Sequence, residues 1–91
     1  MRLARNNKRD TIEKEIVASL HRIGCSVQKL DDGDGVPDLL VGLGGVNYLL
    51  EVKSGKGRLT EDQETWHDSW SGQVAIVRSL DDALKVLKLV P

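Results

Sequence analysis

Residues 35–57 read GVPDLLVGLGGVNYLLEVKSGKG, and the reading of this stretch decides the fold. Two short apolar runs, 38–42 and 47–53, flank a glycine-bearing turn at 43–46, the pattern of a β-hairpin. If Gly42 pairs with Asn47, counting outward puts Asp38 opposite Glu51. Directly opposed side chains share a face, with Cβ atoms about 5 Å apart. Alternation along a strand then places Lys53 on the same face as Glu51. Two carboxylates and an ammonium converge at one end of an otherwise apolar sheet. A register slip of one residue would scatter them.

Outward from the hairpin, the chain alternates between helical and extended patterns. Residues 11–23 place Ile12, Ile16, Leu20 and Ile23 on one helical stripe with Val17 beside it, started by Asp10 or Thr11 and ended by Gly24. Residues 26–30 form a short strand, and 31–37 (DDGDGVP) a turn-rich loop. After the glycine loop at 54–58, Thr60 and Gln63 form a capping box for a helix that runs to about Trp70. Its inward stripe holds Leu59, Gln63, Trp66 and Trp70, and the tryptophans are expected in the core. Residues 73–78 contain VAIV, the pattern of a strand buried on both faces. Ser79 caps a last helix, with Asp81 and Asp82 in its first turn and Lys85 and Lys88 later, as the helix dipole favours. A strand that follows a crossover helix lies parallel to a neighbour. The expected fold is α/β, a small mixed sheet of about four strands flanked by helices.

The composition is compatible with one small soluble domain over residues 1–91. Apolar residues make up 40% and charged residues 30%, which is ordinary for a globular chain. With two Trp, one Tyr and no Phe, the core must be aliphatic. The single cysteine, Cys25, excludes an internal disulfide and fits a reducing compartment; between Gly24 and Val27 it reads as a small buried apolar residue. No run is apolar enough to span a membrane, so the expected location is the cytoplasm. A net charge of -1 gives no overall nucleic-acid signal. Its distribution does: Arg2, Arg5, Lys8 and Arg9 form a basic arm over residues 1–10 with no acid from Met1 to Arg9, and Lys56 and Arg58 follow Lys53 in a basic loop. The alternative is a solvated tail and loop.

The chemistry centres on the opposed carboxylates. Asp38 and Glu51 repel each other and are poorly accommodated among leucines. A hard divalent cation resolves this, binding both carboxylates and the carbonyl of Val52. Magnesium keeps several waters, one of which can attack a phosphodiester, and Lys53 can orient or deprotonate it or offset charge on the phosphorus. The competing reading is a strand-end ion pair of Lys53 with Glu51 or Asp38 at an exposed sheet edge, which contributes little. Glu13 lies beside the apolar stripe, in line with Val17 and Leu20, and is either a third acidic group of the site or a flanking charge. Gln63 contacts a phosphate or only caps its helix. His21 and His67 show no partner pattern.

These residues resemble the PD-(D/E)XK nuclease superfamily, and more narrowly the stand-alone virus-type replication-repair nuclease (VRR-NUC) domain. The resemblance lies in GVPD (35–38), EVK (51–53) after the glycine hairpin, the leading IEK (12–14), and GRLTEDQ (57–63) after the lysine loop. It covers the chain from Thr11 to about Leu87. It implies a restriction-endonuclease-like αβββαβ core and Mg²⁺- or Mn²⁺-dependent endonuclease activity. Asp38, Glu51 and the Val52 carbonyl would be metal ligands, Lys53 the catalytic lysine, Glu13 the helix-borne acid and Gln63 the auxiliary polar residue. Stand-alone members resemble Holliday-junction resolvases and act as homodimers, so a four-way DNA junction is the implied substrate. Flaps, forks or linear duplex are the alternative substrates, and a module that binds branched DNA without cutting it is the alternative class.

Overall fold

The computed structural model describes residues 4–30 and 33–91, with side chains from residue 8 onward. In chain order the elements are α1 (Ala4–Ile23), β1 (Ser26–Lys29), β2 (Leu39–Leu43), β3 (Val46–Val52), α2 (Glu61–Ser69), β4 (Ala75–Val77) and α3 (Leu80–Val86). The strands form one sheet in the order β1-β2-β3-β4, the first three antiparallel and β4 parallel to β3. This is the mixed α/β sheet expected from the sequence.

The hairpin register follows from its turn. Leu43 pairs with Val46, leaving Gly44 and Gly45 as a two-residue connection with φ of 60° and 82°. Positive φ at both positions is what a tight hairpin turn of the favoured hand demands, and glycine supplies it without a steric penalty. Gly42 then pairs with Asn47 and Leu39 with Leu50. One step further out, Asp38 meets Glu51.

The pleat divides the sheet into two unequal faces. Leu39, Val41, Leu50, Val52 and Val77 point to one side and pack with Ile16 and Leu20 of α1 and with Ala83 and Leu87 at α3. Cys25 joins this aliphatic core as a buried residue. Leu40, Leu49, Glu51 and Ile76 point to the other side, where α2 is the covering element.

Three expectations need correction. The first helix starts at Ala4, so the described part of the basic arm is the first two turns of α1. Residues 4–10 contain neither proline nor glycine, and Arg9 pairs with Glu13 one turn on, which favours helix. The tryptophans are not core. Trp66 is half-buried and Trp70 is 44% exposed, their rings stacked with centroids 4.6 Å apart. α2 buries no residue, because only part of one sheet face lies beneath it. Finally, β4 is an edge strand that buries Val77 but leaves Ile76 39% exposed.

Both predicted caps are present. The Thr60 side chain accepts from Gln63 N while Gln63 Oε1 accepts from Thr60 N, and the Ser79 side chain accepts from Asp82 N. Just ahead of β4, the Gln73 side chain takes the place of a strand. Its Oε1 accepts from Leu49 N at 2.6 Å and its Nε2 donates to Leu49 O at 3.3 Å.

Candidate active site

Asp38 is placed by what surrounds its backbone. Pro37 before it is fully buried, and the Asp38 carbonyl accepts from Leu30 N at 2.9 Å, continuing the β1–β2 ladder. Both side-chain oxygens are engaged: Oδ1 pairs with Arg9 Nη2 at 2.8 Å and Oδ2 accepts from Val52 N at 2.7 Å. The carboxyl is thereby held across the end of β3.

Glu51 lies in the central part of the sheet and is 1% exposed. Its Oε2 accepts from Gln63 Nε2 at 3.0 Å, so Gln63 serves at once as helix cap and as the donor that orients this carboxyl. Its Oε1 is buried with no hydrogen-bond partner. Burial, then the hydrogen-bonding contact with Asp38 and the Asp38 charge, push Glu51 up to about 8. Lys53 and Arg9 act in the opposite direction but are outweighed. The buried Glu51 carboxyl, in contact with a second acid, does not ionise readily and keeps its proton to higher pH.

Glu13 is buried on α1 and reaches Asp38 only through Arg9, whose Nη2 contacts Glu13 Oε1 at 2.5 Å as well as Asp38 Oδ1. Lys29 adds a second cation at 3.4 Å from Glu13 Oε2. Arg9, a DNA-binding candidate from the sequence, points into the site as a bridge between Glu13 and Asp38 and also pairs with Asp10 at 2.9 Å. That role left no signal beyond its i,i+4 spacing to Glu13. Among the described residues, no three His, Cys, Asp or Glu side chains cluster at metal-binding spacing, so Glu13 does not join the Asp38–Glu51 pair directly.

Lys53 follows β3, its N–H donating to Val77 O at 3.0 Å. Among the described residues it forms no ion pair, which removes the strand-end salt bridge as an explanation for the charges. His67, one turn along α2 from Gln63, is half-buried with its Nε2 unpartnered. Burial lowers its pKa, Asp68 opposes this, and the charge of Lys53 lowers it further. Nothing in the spacing of the sequence singled it out.

Open space lies on both sides of Asp38. One cavity of about 230 Å³ runs between Gly33, Gly35, Asp38 and the Thr60–Gln63 turn; another of about 250 Å³ is lined by Arg9, Glu13, Lys29, Leu30 and Asp38. Gly35 (φ 83°) packs so closely on α2 that a Cβ would overlap the carbonyl of Asp62. The loop before Asp38 and the helix that carries Gln63 are thus locked together.

Of the basic residues, Lys56 and Arg58 are exposed on the loop after Lys53. Lys8 is exposed on α1 and faces that loop across a cleft of about 470 Å³, lined by Lys8, Thr11, Ile12, Ser54 and Gly55. The fold therefore brings Lys8 close to the loop that carries Lys56 and Arg58. Arg2 lies outside the described residues, and Arg5 is described only as backbone of α1. No helix among the described residues is long and apolar enough to cross a membrane.

No family sequence model and no curated protein matches the chain. A solved structure described as a VRR_NUC domain does, with a TM-score of 0.75 at 27% sequence identity, covering 89% of this chain and 95% of that one. By this likeness in fold and sequence the chain is similar to a VRR-NUC domain, which supports a domain of the nuclease families.

Proposed function

We propose that this domain is a divalent-metal-dependent DNA endonuclease that cuts branched DNA, with a four-way junction as its substrate and a homodimer as its working form. The meeting of Asp38 and Glu51 carries this reading. A sheet end built only for stability gains nothing from two carboxyls in contact, one of them with a buried oxygen that lacks a partner. The residues fit a hard cation such as Mg²⁺ or Mn²⁺, which takes carboxylate and carbonyl oxygens. Asp38 and Glu51 would hold it, with the Val52 carbonyl as the third protein oxygen. When bound, such an ion supplies a Lewis acid for the scissile phosphate and makes water more acidic.

The remaining roles belong to the chain itself. Gln63 fixes the orientation of Glu51 through its amide. Lys53, without a carboxylate partner, orients the attacking water and offsets the negative charge that builds on the phosphate. Glu13 holds Arg9, and Arg9 holds Asp38. Lys8, Lys56 and Arg58 attract the DNA backbone towards a site whose own acids repel it, and by their charge Arg2 and Arg5 join them in this role. The nuclease family of the matched structure supports the reaction class. Junction and homodimer follow from the sequence resemblance, since one chain carries one site and symmetric junction cutting needs two.

The test is cleavage of a labelled four-way junction with Mg²⁺ or Mn²⁺. Wild type should cut it, and Glu51→Ala and Lys53→Ala should each lose about a hundredfold or more in rate while staying folded. Equal products from wild type and both variants would show that the site is wrongly assigned. Cutting of flaps but not junctions would sink the substrate and leave the chemistry standing.

A further inference from the structure

Arg78 directly follows β4 and is anchored on both sides. Its N–H donates to Asp82 Oδ2 at 2.8 Å in the first turn of α3, and the carbonyl of Val77 before it accepts from Lys53 N. From there its guanidinium reaches the loop that follows Lys53. One nitrogen, Nη1, donates to the carbonyls of Gly55 and Gly57, each at 2.8 Å. These are the carbonyls of the residues on either side of Lys56. The loop is itself a turn closed by Gly57 N to Ser54 O at 2.8 Å, with Lys56 exposed at its corner and Arg58 exposed just beyond. Among the described residues Arg78 forms no ion pair with a carboxylate, so its charge is directed at these two carbonyls.

Two effects follow. The negative ends of two peptide dipoles are taken up by a cation inside the protein instead of meeting an incoming phosphate. The turn is also held in one shape beforehand, so DNA binding does not have to order it. A planar guanidinium held at one end by the backbone is better suited to this than a flexible ammonium.

We propose that Arg78 is a positioning residue for DNA: it fixes the 54–58 turn so that Lys56 and Arg58 meet the phosphate backbone at a set distance from Lys53. The proposal rests on the nuclease reading above and adds to it a residue that touches neither the metal ligands nor, in this role, the DNA.

The experiment is binding of a labelled four-way junction by fluorescence anisotropy, with Ca²⁺ replacing Mg²⁺ to separate affinity from turnover. Wild type, Arg78→Gln, Lys56→Ala and the double variant form a cycle. Each single change should weaken binding about tenfold, and the double change hardly more than either one. In Arg78→Gln the Gly57 amide should exchange about tenfold faster while the Val52 amide is unchanged, and in cleavage KM should rise with kcat within about threefold. Additive losses would mean that Arg78 contacts DNA itself and would overturn the proposal, as would unchanged binding in Arg78→Gln. If Arg78→Gln does not fold, Arg78→Lys decides. It keeps the charge, so wild-type affinity overturns positioning and a several-fold loss supports it. Wild type that binds no DNA would overturn the functional reading and this inference together, whereas failure of the cycle alone leaves the nuclease intact.

Discussion

Leu49 and Leu50 are neighbours on β3 with identical side chains, yet they lie in different surroundings. Leu50 is fully buried among Ile16, Leu20 and Val77, on the face covered by α1 and α3. Leu49 faces the other way and is only half-covered, as are Leu40 beside it and Trp66 of α2. One face of the sheet holds the domain together. The other holds the carboxyl pair under a helix that buries none of its own residues. Glu51 is dry on that open face only because Gln63 and the close Gly35–α2 contact cover it locally. A site that must admit phosphate and cation gains from a thin cover over a rigid base.

The largest expected effect tests that difference directly. Leu50→Ala should cost about 2–5 kcal/mol in urea denaturation, and Leu49→Ala less than about 1. Equal costs would mean that the two faces are equally packed.

A second test uses pH. Glu51 has its folded pKa raised to about 8 from an ordinary value of 4.5. Between those values the folded state holds a proton that the unfolded state releases. Stability from this group is therefore complete below about pH 4.5 and is lost as pH rises through 8. Metal-free protein should lose a few kcal/mol over that window, and Glu51→Gln should abolish most of the slope. A cation competes with the proton, so Mn²⁺ binding followed by calorimetry should release protons at pH 7 and strengthen towards pH 8. A flat stability profile in the metal-free wild type would show that Glu51 is better solvated than its burial indicates.

The smallest effect belongs to the outer part of α2. Trp70→Ala removes a stacked ring and the bond from its Nε1 to Gln73 O, yet so exposed a residue should cost only about 1 kcal/mol. A loss as large as that of Leu50→Ala would show that the open face is a second core.

The sequence made some of this legible and concealed the rest for physical reasons. The opposition of Asp38 and Glu51 was readable because two adjacent glycines allow one tight turn, and a tight turn sets every pairing behind it. The caps at Thr60 and Ser79 were readable because capping is local. The tryptophans were misread because helical spacing shows which side chains share a stripe and not whether anything covers it. Ile76 was misread because an apolar run does not say whether its strand is central or at an edge. Arg9 and Arg78 were missed as internal contacts since their partners, Asp38 and the loop carbonyls, lie far along the chain and carry no spacing rule.

The Gln73 amide bears on how the molecule avoids its own kind of pairing. β3 outruns β4, and ahead of the first residue of β4 the peptide groups of Leu49 would face outward as a template for any passing extended chain. Gln73 fills both positions, donor to acceptor and acceptor to donor. A single side chain thus acts as a stopper, closing the sheet to foreign strands at the point where its own partner strand has not yet begun.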